Sequence, residues 1–208
     1  MQKKSSAFHK KILLISKYGE TLDIAYTMQQ EGCEIKMFIE EKGCKEIGYG
    51  FVPKIPQWKK HVDWADLIIF DYTGYGAICE QLRKEGKRVV GGSEYTDLLE
   101  LDRNFGQEQL KKHKIKVLPF VEFTNFKDAI AYVDKHPDAY VVKPSGETQE
   151  LKQLLFVGND DEGLDVIRML KAYEKSWGNN FGDFQLQKKV KGVEISASAF
   201  FNGKEFLR

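Results

Sequence analysis

Histidine and cysteine are both scarce in this chain of 208 residues, and each scarcity narrows what the protein can be. The four histidines, His9, His61, His113 and His136, form no HxxxH pair and no carboxylate-linked cluster. A transition-metal site built from the chain's own side chains is therefore not expected. Three cysteines, Cys33, Cys44 and Cys79, are odd in number and far apart. They offer neither a disulfide framework nor zinc-ligand spacing, and read as buried or half-exposed thiols. No apolar run approaches the roughly 18 residues of a membrane span. The N-terminal "MQKKSSAFHKK" is basic, but the "ILLIS" that follows is too short for a signal-peptide core. It reads as a basic lead-in to a cytoplasmic protein. With 32 basic and 31 acidic residues the net charge is +1, so nothing draws the chain in bulk to nucleic acid or to an anionic membrane.

What is present is an ordinary hydrophobic content, 42 %, on a length that suits one or two domains, without repeats or low-complexity tracts. The first half alternates as an open parallel α/β sheet does. "KILLIS" (11–16) is a near-continuous apolar strand, as expected when both faces are covered. A helix follows, with Leu22, Ala25 and Met28 on one face and Gly32 as its stop. Further strands are expected at "EIKMFIE", "DLIIFDYTG" and "KRVVGGS", with a helix closed by Gly86 before the last of these. The pattern then changes. "TDLLELDRNFGQEQLKKHK" reads as one helix, with Leu98, Leu101 and Phe105 on one face and Ser93 or Thr96 as its cap. A short strand, a helix capped by Thr124 or Asn125, and the strands "DAYVVKPSG" and "QLLFVG" come next. Leu164, Ile167 and Leu170 mark the inward face of a later helix. The end reads as a run of antiparallel strands turned at Gly192 and Asn202-Gly203. These elements divide into a Rossmann-like parallel-sheet domain, residues 1–117, and an α+β domain, residues 118–208. The chain stops at Arg208 just after a hairpin turn, which suggests a C-terminally incomplete second domain.

Four stretches carry polar groups where chemistry could be placed. In "YVVKPSGETQELKQLLFVG" a strand delivers Lys143 to a polar loop. An ammonium there suits phosphate oxygens, and equally suits a solvated strand end; the stretch alone leaves both open. "FQLQKKVKGVEIS" offers the main chain of Gln187, Lys188 and Val190, then the carboxylate of Glu194, or else an edge strand with a solvated lysine. Arg103 in "LELDR" is a third cation, or a partner for Glu100 or Asp102. The turn "SKYGETLD" sits where doubly wound folds bind ligands, but with only Gly19 it is no dinucleotide fingerprint. NAD(H) binding there, in an oxidoreductase, is a third and weaker reading.

The order of these pieces resembles the ATP-grasp superfamily, and within it the N-terminal portion of the phosphoribosylamine–glycine ligases (glycinamide ribonucleotide synthetases) of purine biosynthesis. The resemblance runs over nearly the whole chain and is sharpest from Gly91 to Phe201. It implies a Rossmann-like pre-ATP-grasp domain followed by a partial ATP-grasp lobe. It also implies a nucleotide site: Arg103 and Lys143 on the ATP phosphates, Gln187, Lys188 and the Val190 N–H framing adenine, and Glu194 on the ribose. The implied reaction is ATP-dependent joining of a carboxylate, such as glycine, to an amine, such as phosphoribosylamine, through an acyl phosphate. Positioning and electrostatics carry such a reaction, so no side-chain nucleophile is implied. Mg²⁺ is implied too, with its ligands outside this segment, so the chain is an enzyme only together with a second half. Departures from the family pattern are the single Gly146 in the loop after Lys143, the basic hinge Gln187-Lys188-Lys189, and the lone Gly19 of the first turn. They motivate an alternative, a non-catalytic nucleotide-binding or scaffold module.

Overall fold

A computed structural model describes residues 9–145, 154–199 and 204–206. The basic lead-in up to Phe8, the Gly146 loop and the Asn202-Gly203 turn lie outside the described residues. The chain divides into two compact units, Met1–Val117 and Leu118–Arg208.

The first unit is built on four parallel strands, β1 (Lys11–Ser16), β2 (Glu34–Ile39), β3 (Leu67–Phe70) and β4 (Val89–Val90), in the order β2-β1-β3-β4. Central β1 pairs with β2 and β3, and its side chains alternate between two cores. Ile12 and Leu14 pack with Ala25 and Val52 on one face. Leu13 and Ile15 pack with Cys79 and Leu82 on the other. This double burial is why the strand reads as unbroken apolar sequence. Helix α1 (Leu22–Gln30) supplies Ala25 and α2 (Gly76–Lys84) supplies Cys79 and Leu82.

The helix expected over residues 96–114 is two helices. Ser93 opens α3 (Glu94–Leu101) in a capping box with Thr96. Asp102 then leaves helical geometry (φ −114°, ψ 99°) and accepts the Phe105 N–H at 3.0 Å, which starts α4 (Arg103–Lys112). A short acid side chain that can hydrogen-bond backbone competes with helix continuation, and here it wins. Leu98 and Leu101 stay 43 % and 38 % exposed instead of forming a buried stripe. The bend brings the helices close: a Cβ on Gly106 would lie 2.8 Å from the Leu99 carbonyl oxygen. That spacing requires glycine.

The second unit is a four-stranded antiparallel sheet under two helices. Its elements are β5 (Phe120–Phe123), α5 (Phe126–Lys135), β6 (Tyr140–Pro144), β7 (Phe156–Val157), α6 (Leu164–Trp177) and β8 (Phe184–Lys188). The strand order is β5-β8-β6-β7. Asn125 caps α5 by accepting the Asp128 N–H at 2.9 Å. One face of the sheet, with Phe123, Tyr140, Val142, Phe184 and Leu186, packs on Phe126, Ala129 and Val133 of α5 and on Val166, Ile167 and Leu170 of α6. Leu164 was expected inside as well, but at the first position of α6 it is 46 % exposed, and Val166 takes the core place.

After β8 the described part of the expected antiparallel run up to Ala199 forms no strand: residues 189–199 hold none. Val193 and Ile195 are 90 % and 86 % exposed. A strand needs a ladder partner and a surface to bury its apolar face, and this segment has neither among the described residues. No helix among the described residues is long and apolar enough to cross a membrane.

Candidate functional site

The helices cover only one face of the second sheet, and the register fixes what stands on the other. Lys143 of β6 lies opposite Gln185 of β8, which lies opposite Glu122 of β5. One step along, Val141 lies opposite Gln187, which lies opposite Phe120. Directly paired residues point the same way and neighbours in a strand point oppositely. Lys143, Gln185, Glu122, Val141, Gln187 and Phe120 therefore share the face away from α5 and α6. Lys143 is half-buried, and Gln185 is fully buried, donating its Nε2 to Glu122 Oε1 at 3.0 Å. The face is thus a polar row with an ammonium, beside an apolar pair flanking an amide.

Where β8 ends, Lys188 turns away from this face. Lys188 is opposite Tyr140, a core residue, so its side chain leaves on the helix side, where it pairs with Asp138. The pairing raises the Lys188 pKa and lowers that of Asp138. Lys189 reaches Asn159. The main-chain donors are also in use: Lys188 N–H goes to the Pro119 carbonyl at 3.1 Å and Lys189 N–H to the Ala139 carbonyl at 2.8 Å. Val190 N–H is the first after them with no acceptor among the described residues, and Val190 is 53 % exposed. Glu194 is exposed, four residues further on in the strandless segment.

Arg103 is set apart by its location. It is the first residue of α4 in the first unit, whereas the other five residues belong to the second. Burial lowers its guanidinium pKa, and the Glu100 carboxylate opposes this. A guanidinium keeps its charge at neutral pH under both influences. The residues brought together on one face are therefore Lys143 and Gln187. Lys188 projects from the opposite face, and Val190 and Glu194 follow the strand end.

Gln185 and Glu122 are members of this face that the sequence reading missed. Their signal was the polar–apolar alternation of "FQLQK" and "FVEF", but on an antiparallel sheet of unknown register it does not say which residues meet. The Gly19 turn of the first unit is closed by its own groups. Gly19 N–H donates to Ser16 Oγ at 2.7 Å, Thr21 Oγ1 donates to Asp71 Oδ2 at 2.6 Å, and the Lys17 ammonium lies 4.4 Å from the Tyr72 ring centre. No three acidic, histidine or cysteine side chains among the described residues gather to hold a metal ion.

Residues 101–208 match the family model described as phosphoribosylglycinamide synthetase, ATP-grasp (A) domain. A phosphoribosylamine–glycine ligase of Streptococcus pneumoniae is 26 % identical over 163 residues, covering 73 % of this chain and 37 % of that protein. The chain thus spans little more than a third of the length of the curated relatives it matches. Among solved structures, phosphoribosylamine–glycine ligase from Thermotoga maritima superposes with a TM-score of 0.67 at 18 % identity, over 94 % of this chain and 48 % of that one. N5-carboxyaminoimidazole synthetase from Staphylococcus aureus, solved in complex with ADP, gives 0.60 at 17 % identity, over 88 % of this chain and 48 % of that one. At these identities the structural likeness shows the fold.

Proposed function

Since this chain belongs to the phosphoribosylglycinamide synthetase ATP-grasp family, we propose that it is the N-terminal part of an ATP-dependent carboxylate–amine ligase and that the sheet face away from α5 and α6 holds the nucleotide. The observation carrying this reading is the placement of Lys143 and Gln187 together on the sheet face away from α5 and α6, with Val190 N–H unclaimed among the described residues just beyond the strand end. The face suits a nucleoside triphosphate: a cation at one end, an amide between two apolar side chains in the middle and a main-chain donor at the other end.

In this reading the Lys143 ammonium lies on the α- and β-phosphates and Arg103 adds charge on the phosphate chain. Val190 N–H donates to the adenine edge, Gln187 and the main chain of Lys188 frame the ring, and Glu194 accepts from the ribose hydroxyls. Bound ATP, with Mg²⁺, supplies the phosphoryl group that activates a carboxylate such as glycine's for attack by an amine such as that of phosphoribosylamine. The chain's own residues orient the phosphates and offset their charge. The metal ligands belong to a part of the ligase outside this segment, and the setting is the cytoplasm. The domain reading follows the same line: residues 1–117 as the pre-ATP-grasp domain, residues 118–208 as the nucleotide-binding lobe.

Calorimetric titration of Mg-ATP into the chain and its Lys143→Ala variant tests this. A charge-assisted hydrogen bond contributes about 1.5–3 kcal/mol, so the variant should bind roughly 10- to 150-fold more weakly. Equal affinity would remove Lys143 from the site. ADP release by the full-length gene product in the presence of glycine and phosphoribosylamine separates the ligase from the non-catalytic module.

A further inference from the structure

We propose that Glu122 and Gln185 act as a positioning pair for Lys143: Glu122 locks the Gln185 amide, and the amide oxygen holds the Lys143 ammonium. The purpose of the pair rests on the nucleotide reading above, and it gives a role to two residues that reading does not use.

Gln185 is a fully buried carboxamide between Phe184 and Leu186 of β8. Such a group is kept where its hydrogen bonds are met. The register gives it one polar neighbour on each side, Glu122 of the edge strand β5 and Lys143 of β6. Directly paired residues on one sheet face have Cβ atoms about 5 Å apart, within reach of side chains of this length. The chemistry of the three groups then fixes their direction. A carboxylate only accepts, so the amide must turn its NH2 to Glu122, and Nε2 lies 3.0 Å from Glu122 Oε1. The oxygen and nitrogen of an amide lie on opposite sides of its carbon, so the Gln185 oxygen is turned toward β6. What β6 carries there is an ammonium, which only donates. The row across three strands thus alternates acceptor, donor, acceptor, donor. A flipped amide would set NH2 against ammonium and oxygen against carboxylate.

This row explains a carboxylate that otherwise sits badly beside a phosphate site. Glu122 is exposed and two strands from Lys143, about 10 Å by strand spacing. Acting alone across water at that distance, its charge would weaken phosphate binding roughly twofold. Acting through Gln185 it does the reverse. A lysine stem has much rotamer freedom, which a bound phosphate would otherwise have to remove. An amide oxygen fixed from behind removes it in advance, and charge at both ends of the row strengthens each bond in it.

The test reads Lys143 itself and then its effect on binding. In the nucleotide-free chain, Lys143 is labelled with an amine-reactive reagent and followed by mass spectrometry, with exposed Lys135 as the reference. Labelling should run about tenfold faster in Gln185→Leu, the loss of one hydrogen bond to a charged group, and about threefold faster in Glu122→Ala. Glu122→Gln, whose amide oxygen still accepts from Gln185, should restore the slow rate to within about twofold. Mg-ATP and adenosine are then titrated against each protein. The ratio of their affinities should fall about tenfold in Gln185→Leu and about threefold in Glu122→Ala, and recover in Glu122→Gln. Because Glu122 is exposed, its variants report even where Gln185→Leu lowers stability. Unchanged Lys143 labelling in Glu122→Ala, or an ATP-to-adenosine ratio that rises there as the loss of a repelling charge requires, overturns the proposal. If Lys143→Ala weakens Mg-ATP while labelling and ratio ignore residues 122 and 185, only this inference fails. If labelling responds but the unaltered chain binds no Mg-ATP, the held ammonium stands and the nucleotide reading fails.

Discussion

Phe184→Ala should nearly unfold the second unit, and the expected cost follows from where the ring sits. Phe184 is 1 % exposed in β8, the strand that also carries Gln185 and Gln187 on its other face. Its ring stacks on Phe126 at 5.2 Å, meets Phe181 edge-on at 5.5 Å and lies 5.9 Å from Phe123. Removing a buried aromatic withdraws roughly 150–250 Å² of apolar burial, or about 4–6 kcal/mol at about 25 cal/mol/Å². Substitutions of this kind cost about 3–5 kcal/mol, so about 4 kcal/mol is expected. For the roughly 90 residues of the second unit, an unfolding entropy of about 2.1 cal/mol/K per residue converts this to a fall of roughly 20 °C. Trp177 packs against this core and is the unit's own tryptophan. In a Trp58→Phe, Trp64→Phe background its fluorescence follows that unit's melting. A drop below about 5 °C would mean that β8 is not anchored by this aromatic cluster, and the face built on it would lose its foundation.

Two smaller predictions test geometry on either side of the sheet. Lys188→Ala should leave Mg-ATP affinity within about twofold by calorimetry, because the ammonium pairs with Asp138 on the helix side; a tenfold loss would mean the register of β8 is wrong. Burial raises the Asp165 pKa, but N–H bonds from Asn159 at 2.7 Å, Val166 at 2.7 Å and Asp160 at 3.3 Å outweigh it and hold the carboxyl below its ordinary range. A depressed folded-state pKa gives a contribution complete above about pH 4 and lost as pH falls through the folded value. Asp165→Asn should therefore flatten the melting-temperature profile below about pH 4, and parallel profiles would contradict this.

Much of the fold was legible because burial and local chemistry leave direct marks. β1 reads as "KILLIS" since cores lie on both sides of it, and Asn125 announces α5 with a cap that the structure contains. The break at Asp102 was hidden because leucine spacing on either side, Leu98, Leu101 and Phe105, continues a helical period through it. The strands expected after Lys188 carry a suitable alternation, but alternation says only that a partner would be needed. At the site, Lys143 was legible as a cation on a strand. Which of Gln187 and Lys188 shares its face was not, since a one-residue shift in pairing exchanges them, and only the register of β6 with β8 decides. Glu122 is 63 residues from its partner Gln185, a separation no local pattern bridges.

The central claim, that a nucleoside triphosphate lies against Lys143 on the sheet face away from α5 and α6, is tested most directly by lysine footprinting. The chain is labelled with an amine-reactive reagent with and without saturating Mg-ATP, and modification at each lysine is read by mass spectrometry. Mg-ATP should protect Lys143 by at least about fivefold while Lys188, on the opposite face, labels unchanged. Equal labelling of Lys143 with and without nucleotide, at a concentration where ATP is bound, would contradict the account.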